Sequence, residues 1–486
     1  MTDVVDLFLA VASELGEHPA IATDDEKVTY TELSIRGRSI AAALLDRGHA
    51  PRVLIHLPQC ADAYATMFAV LMAGGYYAPV NTDAPFARQR AIVDKFNPDV
   101  VVGTAASAEF LSACGLAKDI LIDVGQRLPA PLPKPMPPGT LAYVLFTSGS
   151  TGIPKGVMVG RKGLNHYVSW CHRAMNVTPQ DRWSQHPNIA FDLSVLDIFG
   201  ALCAGACLYP LGGAKDRLFP GDAIRRHQLT IWNSVPSVMT LITRARHATP
   251  EFLCSLRLAT FCGEPLLPEH LRALFDAVPN LSVHNTYGPT EATVSCTLLP
   301  LNANMYQSAC RATVAIGEAI EGMELRLEGG NDANHGEIVI YGPQVAHGYW
   351  QDTEATQAAF LSRSPQSAPY AYRTGDLAER VDGQLYFLGR KDTQVKLMGH
   401  RLELEEVNAA LRRCGIPQAC SAVIDGKLHA FLELPGPINL DRLKSDLLLE
   451  LEAFAVPGHF HLFDRLPRNM NDKIDVRSLI EAFHSH

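Results

Sequence analysis

Residues 141–156 read LAYVLFTSGSTGIPKG and bring a lysine up behind a loop rich in hydroxyls and glycines. Thr147, Ser148, Ser150 and Thr151 supply side-chain donors, Gly149 and Gly152 let the main chain approach an anion, and Lys155 adds a point charge after Pro154. Such a loop suits a phosphate. Its spacing fails the G-x-x-x-x-G-K-[ST] pattern, which disfavours an ordinary P-loop nucleotidase. By composition alone it also fits a Ser/Gly surface loop.

Three later groups could extend that chemistry. In Asn285-Thr286-Tyr287-Gly288-Pro289-Thr290-Glu291, the tyrosine face can stack on a purine, a hydroxyl can bond phosphate and the carboxylate can hold Mg²⁺. Taken alone, this segment is a turn with a core tyrosine. Asp376, in YRTGDL, is an acceptor-only carboxylate of the kind that suits a vicinal diol, although a lone TGD is ordinarily a surface turn. Asp192 stands between an apolar run and an amphipathic helix, where the ordinary role of an aspartate is N-cap.

The elements that must position these residues alternate. Val4, Leu7, Val11 and Leu15 recur at helical spacing, and residues 18–28 read as turn and strand. A helix follows from about Thr31, then a strand over 53–57 and a helix over 64–72 that ends at Gly74 and Gly75. Alternating strand and helix predicts a parallel α/β sheet, continued through 229–236 and 256–263. A proline-rich run over 129–138 reads as a surface connection. Around 317–344 short strands with Gly and Asn turns predict an all-β part, a distorted barrel. The last hundred or so residues form a separate α+β unit, with helices over 403–413 and 440–454, strands over 420–432 and a boundary at 389–392.

The chain has 486 residues, enough for two or three domains, and a net charge of −9, which argues against a nucleic-acid backbone as main ligand. Its eleven cysteines are scattered, with no C-x-x-C or His/Cys cluster, and the acidic start MTDVVD is not a secretory leader. Reduced thiols in the cytoplasm are expected. No apolar run reaches the roughly 20 residues that span a bilayer.

The loop TSGSTGIPKG resembles the phosphate-binding loop of the adenylate-forming superfamily, which comprises acyl-CoA synthetases, luciferases and amino acid adenylation domains. NTYGPTE, YRTGDL, GRKDTQVK and PRNMNDK resemble later motifs of that superfamily in the same order, so the likeness covers nearly the whole chain. It implies a large N-terminal domain over 1–388, built of two doubly wound α/β sheets plus the barrel, and a small mobile α+β domain over 389–486. ATP and Mg²⁺ are the implied cofactors. Thr147, Ser148, Gly149, Ser150, Thr151, Gly152 and Lys155 would hold phosphates; Asn285, Thr286, Tyr287, Gly288, Thr290, Asp376 and Arg390 would complete the nucleotide site. Glu291 would hold the metal. Asp392 would be the hinge, and Lys473 the catalytic lysine, acting with Thr147, Lys155 and Glu291.

FDLS at Phe191-Asp192-Leu193-Ser194 resembles the signature by which amino acid adenylation domains hold the substrate ammonium. An opposite charge at about 4 Å returns roughly 4 kcal/mol at an effective dielectric near 20, whereas a plain acid would leave Asp192 unpaired. By the same likeness the pocket is Asp192, Leu193, Leu196, Asn233, Thr260, Cys262, Gly263, Thr286, Val294 and Ser295. That set implies a small neutral amino acid: alanine, serine, threonine or cysteine. Asn233, Thr286 and Ser295 could bond a hydroxyl, and D-alanine remains a rival because the segments IWNSVPS and FCGEPL look like D-alanine:carrier protein ligases. No carrier segment follows Lys473, so the thiol that takes the acyl group is expected on a separate carrier protein, with no membrane insertion; a small helper protein is compatible. The alternatives are an acyl- or aryl-CoA synthetase and a non-catalytic adenylate-binding protein. Three positions depart from the family pattern: Arg161 for histidine, Met398 for arginine and Asp472 for glycine.

Overall fold

The computed structural model describes every residue except 48–50, 133, 148–153, 331–333, 363–368, 392–393, 435–437, 469–473 and 485–486. The chain divides into two compact units. The first comprises Met1–Thr82, Lys95–Phe146 and Gly156–Gly389; the second Asp83–Asp94, Thr147–Lys155 and Arg390–His486. The sequence places the boundary at 389–392; the second unit also takes in two short earlier segments, Asp83–Asp94 and Thr147–Lys155.

Two large sheets dominate the α/β part. One has the order Leu121–Asp123, Val100–Gly103, Arg52–Ile55, Tyr76–Pro79, Leu141–Thr147, Lys155–Gly160, and its first five strands run parallel. The other holds nine strands, with Ser282–Asn285, Leu258–Phe261, Ile231–Ser234, Arg182–Gln185, Cys207–Pro210 and Pro19–Ala22 parallel in that order and antiparallel strands at both edges. Parallel strands need crossovers, and the helices supply them. Helix Ala61–Met72 is buried at every position but Asp62, which explains its apolar sequence ADAYATMFAVLM. Helix Tyr30–Leu45 packs against it. Its cap is Thr29, two residues before the expected Thr31, in a reciprocal capping box with Glu32.

The expected barrel does not close. Glu324–Glu328, His335–Tyr341, Ala371–Val381 and Phe360–Leu361 form an open sheet in that order, with Gln384–Arg390 also paired to Ala371–Val381. Strand alternation in a sequence tells which residues face inward, but carries no information on whether the two edge strands meet.

Arg161 has a structural explanation. It is 4% exposed and forks onto Asp3, Nε to Oδ2 at 2.8 Å and Nη2 to Oδ1 at 2.6 Å, while Asn165 also donates to Oδ2 at 3.1 Å. Burial alone would push the Asp3 carboxyl up; Arg161, with the Val5 N–H and Asn165, more than offsets it and holds the group below its ordinary range. Asp3 also caps helix Val4–Glu14, so one carboxylate ties the first helix to helix Arg161–Met175. Met398 sits at φ 49°, more than half exposed, in the turn between strands Gln394–Leu397 and His400–Glu403.

The second unit has its own core around Leu402, Val407, Leu411, Leu432, Leu443 and Leu447, under helices Leu404–Arg413 and Leu440–Leu448 and a sheet of Ala419–Ile424, Lys427–Glu433 and His459–Phe463. Arg88 joins it by pairing with Glu406 and Glu452, each at 2.8 Å. None of the eleven cysteines is paired in a disulfide. Among the described residues no helix is long and apolar enough to cross a membrane.

Two buried histidines set an acid limit. Burial pushes both His186 and His284 down to about 4. His186 Nε2 and His284 Nδ1 have no hydrogen-bond partner among the described residues. Because the unfolded chain takes these protons near pH 6.5 and the folded chain does so only near pH 4, the stability they permit falls as pH drops through that window. The loss is roughly 3 kcal/mol each by pH 4. In His284→Gln, the stability difference between pH 7 and pH 4.5, read from urea unfolding, is expected to shrink by more than 1 kcal/mol relative to the parent.

Candidate active site

Asp192 stands at the start of helix Leu193–Leu202, but its side chain makes no capping bond. The backbone there is already helical, φ −61° and ψ −26°, which turns the carboxylate away from the first turn. The group is about nine-tenths buried, and Thr290 Oγ1 donates to its Oδ2 at 2.6 Å. The N-cap role that the sequence leaves open is therefore not the one it plays. A charge-assisted bond instead joins the FDLS segment to NTYGPTE, ninety-eight residues later.

NTYGPTE is assembled from strand Ser282–Asn285 and the turn that follows it. Asn285 Nδ2 donates to Ala315 O at 2.7 Å and Thr286 Oγ1 to Phe261 O at 3.1 Å, so both are anchored. The Tyr287 hydroxyl donates to Asp376 Oδ2 at 2.6 Å. The structure thus brings together the expected purine-stacking tyrosine and the expected diol acceptor, and burial next to that carboxylate pushes the phenol well above its ordinary range. Asp376 lies on strand Ala371–Val381 and is 2% exposed. Glu291, 1% exposed, accepts from Tyr349 Oη at 2.7 Å. Gly288 is required by close approach: a Cβ there would lie 2.5 Å from Ser295 Cα.

The loop after Glu291 carries strain. Thr293 has φ 56° and Val294 φ 71°, a left-handed conformation that β-branched residues rarely adopt. Gln344 holds it there. This fully buried side chain donates through Nε2 to Ala292 O at 3.0 Å and Ser295 O at 2.8 Å, and its Oε1 lies 2.8 Å from His166 Nδ1. Thr293 Oγ1 in turn donates to Gln344 O at 2.7 Å.

The remaining expected pocket residues share this first unit. Leu193 and Leu196 are buried on the helix; Asn233, Thr260 and Cys262 come from the ends of neighbouring parallel strands, where Asn233 and Thr260 are register partners. Gly263 follows at φ +96°. Cys262 Sγ lies 3.9 Å from Val294 O, and Ser295 Oγ is 3.2 Å from the Tyr167 hydroxyl. Thr147, whose hydroxyl donates to Lys155 O at 3.4 Å, Lys155 itself and Arg390 belong to the second unit. Ser148, Gly149, Ser150, Thr151, Gly152, Asp392, Asp472 and Lys473 lie outside the described residues.

Three residues were not legible as site residues. Tyr349 and Gln344 sit more than fifty and forty residues beyond the segments they hold, and neither belongs to a patterned motif. Asp197 appears in sequence as one more residue of an amphipathic helix. In the structure it is wholly buried, accepting from Asn233 Nδ2 at 2.7 Å and Trp183 Nε1 at 3.0 Å, and burial pushes its carboxyl well above the usual range. An acidic residue five positions after Asp192, on the same helix as the apolar pocket positions, was the available signal.

Several known proteins are similar to this chain. Residues 8–350 match the family model described as AMP-binding enzyme. The L-proline--[L-prolyl-carrier protein] ligase of Streptomyces coelicolor is 32% identical over 96% of this chain and 94% of its own length. The D-alanine--D-alanyl carrier protein ligase of Staphylococcus epidermidis is 28% identical over 99% of each chain. Among solved structures, the Vibrio cholerae adenylation domain AlmE in complex with glycyl-adenosine-5'-phosphate superposes with a TM-score of 0.85 at 27% identity, covering 99% of this chain and 98% of that one. Against other relatives the chain spans 44% or less of their length.

The clamp by Gln344 is open to test. Gln344→Leu leaves two buried carbonyls without a donor, and a cost of about 2–4 kcal/mol is expected in urea unfolding. A larger fractional loss in substrate kcat/KM than in stability-matched controls is also expected, because the strained loop is what the glutamine holds.

Proposed function

The chain belongs to the AMP-binding enzyme family, and from that premise we propose that it activates a small neutral amino acid with ATP and passes it to the thiol of a separate carrier protein. The observation that carries this reading is the buried Asp192 carboxylate, joined through Thr290 to the segment that holds Tyr287 and Glu291. A substrate ammonium is the natural counter-charge for such a group, and it would lie one hydrogen bond from the nucleotide motif. Relatives named as proline and D-alanine carrier-protein ligases, and a similar structure holding a glycyl-adenylate, support an amino acid and a carrier thiol.

The proposed chemistry has two steps. A substrate carboxylate oxygen bonds to the α-phosphorus of ATP while the bond to the bridging oxygen of pyrophosphate breaks, giving an aminoacyl-adenylate. A thiol then loses its proton, attacks the carbonyl carbon and displaces AMP. No enzyme nucleophile is needed, which agrees with thiols that burial pushes up to about 11 at Cys207 and Cys420.

Residue roles follow from chemistry and motif. Asp192 holds the ammonium and Asp376 accepts from the ribose hydroxyls. Tyr287 presents its face to the purine while its hydroxyl is fixed on Asp376. Thr147, Lys155 and the loop 148–152 cradle phosphate, Arg390 approaches the nucleotide, and Lys473 neutralises charge as the α-phosphorus becomes five-coordinate. Glu291 would hold Mg²⁺. The buried Glu291 carboxylate, oriented by Tyr349, fits a hard cation of this kind, whose charge would offset that of the leaving pyrophosphate. The second unit's Arg390–His486 is then the small domain that carries Lys473, with Asp392 as its hinge.

Amino acid dependent pyrophosphate exchange tests the whole reading. Asp192→Ala is expected to lower exchange kcat/KM by two to three orders of magnitude with ATP binding kept, which follows from the loss of about 4 kcal/mol. Lys473→Ala is expected to abolish adenylate formation while ATP still binds; unchanged exchange in that variant removes the lysine from the mechanism. Exchange driven by a simple carboxylic acid but by no amino acid would overturn the substrate assignment.

A further inference from the structure

The pocket contains more polar atoms than the fold itself uses. Of the three groups that could meet a substrate hydroxyl by sequence, two are engaged: Thr286 Oγ1 donates to Phe261 O, and Ser295 Oγ meets the Tyr167 hydroxyl. Asn233 differs. Its Nδ2 donates to Asp197 Oδ1 at 2.7 Å and its backbone N–H to Ser184 Oγ at 3.0 Å, yet Asn233 Oδ1 has no hydrogen-bond partner among the described residues. Asp197 Oδ2 and Thr260 Oγ1 are in the same condition. All three residues are 0% exposed.

These atoms form one cluster. Asn233 and Thr260 are opposed on adjacent parallel strands and so emerge on the same face, and Asp197 is hydrogen-bonded to Asn233 from the helix that Asp192 begins. Asn233 Nδ2 also reaches Leu193 O at 3.4 Å, so the cluster lies beneath the first turn after Asp192. A buried polar group left unsatisfied is costly, and three on neighbouring elements multiply that cost. Their chemistry is complementary to one ligand group. A protonated Asp197 offers a donor, Asn233 Oδ1 an acceptor and Thr260 either, which is the set that a single hydroxyl, with one donor and two lone pairs, can meet.

We propose that the substrate side chain ends in a hydroxyl that enters this cluster, so that the enzyme selects serine or threonine over the methyl isostere of the same size. The inference rests on the reading of Asp192 as ammonium partner, and it turns the open choice among alanine, serine, threonine and cysteine into a hydroxyl-bearing class. Alanine and proline would leave all three atoms unmet.

The test is pyrophosphate exchange by the full chain with both enantiomers of serine, 2-aminobutyrate, threonine, valine, alanine, cysteine and proline. Serine over 2-aminobutyrate, or threonine over valine, is expected by a factor on the order of 10² or more in kcat/KM, because a site built to bond a hydroxyl rejects the analogue lacking it. Thr260→Val, nearly the same in shape, is expected to bring that ratio within about tenfold, and Asn233→Leu to do the same, each checked for folding by its melting temperature. A ratio unchanged in both folded variants overturns the assignment of these side chains. Exchange that favours the isostere, alanine or proline overturns the hydroxyl while leaving amino acid adenylation intact. No exchange with any amino acid, against turnover of a simple acid, overturns both.

Discussion

A 2.6 Å bond between Thr290 Oγ1 and the Asp192 carboxylate is the constraint on which the rest of the site depends. It couples two elements that the chain order keeps apart, the helix after FDLS and the turn after strand Ser282–Asn285. The helix start aims the carboxylate because its backbone is already helical at Asp192 and spares it from capping. The turn carries the tyrosine and the glutamate. Since a buried carboxylate is costly unless met, this hydroxyl lowers the cost of holding it there.

Around that bond the protein uses sheet geometry for precision and loop strain for shape. Parallel strands end together, so Asn233 and Thr260 arrive at one edge in register, with Asn285 one position further along its strand opposite Phe261, at the usual place for a ligand in an open α/β sheet. Beyond the last of them, the backbone is forced into a left-handed path at two β-branched residues and clamped by a glutamine from a distant segment. The charged groups Asp376 and Glu291 are each met by a tyrosine hydroxyl, which orients a carboxylate without neutralising it.

Much of this was legible in the sequence, for local reasons. Strand and helix alternation carries a parallel sheet, and Tyr287, Glu291 and Asp376 stand in motifs whose residue types speak for their chemistry. What was not legible is nonlocal. Gln344 and Tyr349 act through contacts with segments far away in the chain, and no periodicity marks them. Asp197 is marked in one dimension only by its place on the helix that Asp192 begins; the structure shows it wholly buried beside Asn233, with burial pushing its carboxyl up. An open sheet and a barrel read alike in sequence, because pairing between edge strands leaves no trace in alternation. Arg161, a departure from the family pattern, is explained by Asp3, 158 residues earlier in the chain.

The left-handed pair at Thr293 and Val294 bears on how such a pocket can change over evolutionary time. Val294, proposed above as a pocket residue, is buried beside Cys262, and its side chain also fixes the energy of its own backbone. An exchange to glycine or asparagine would enlarge the cavity and release conformational strain together, so recognition and loop rigidity cannot drift independently there. The strand ends at Thr260 and Cys262, neither of which has a positive φ, carry no such coupling between side chain and backbone strain.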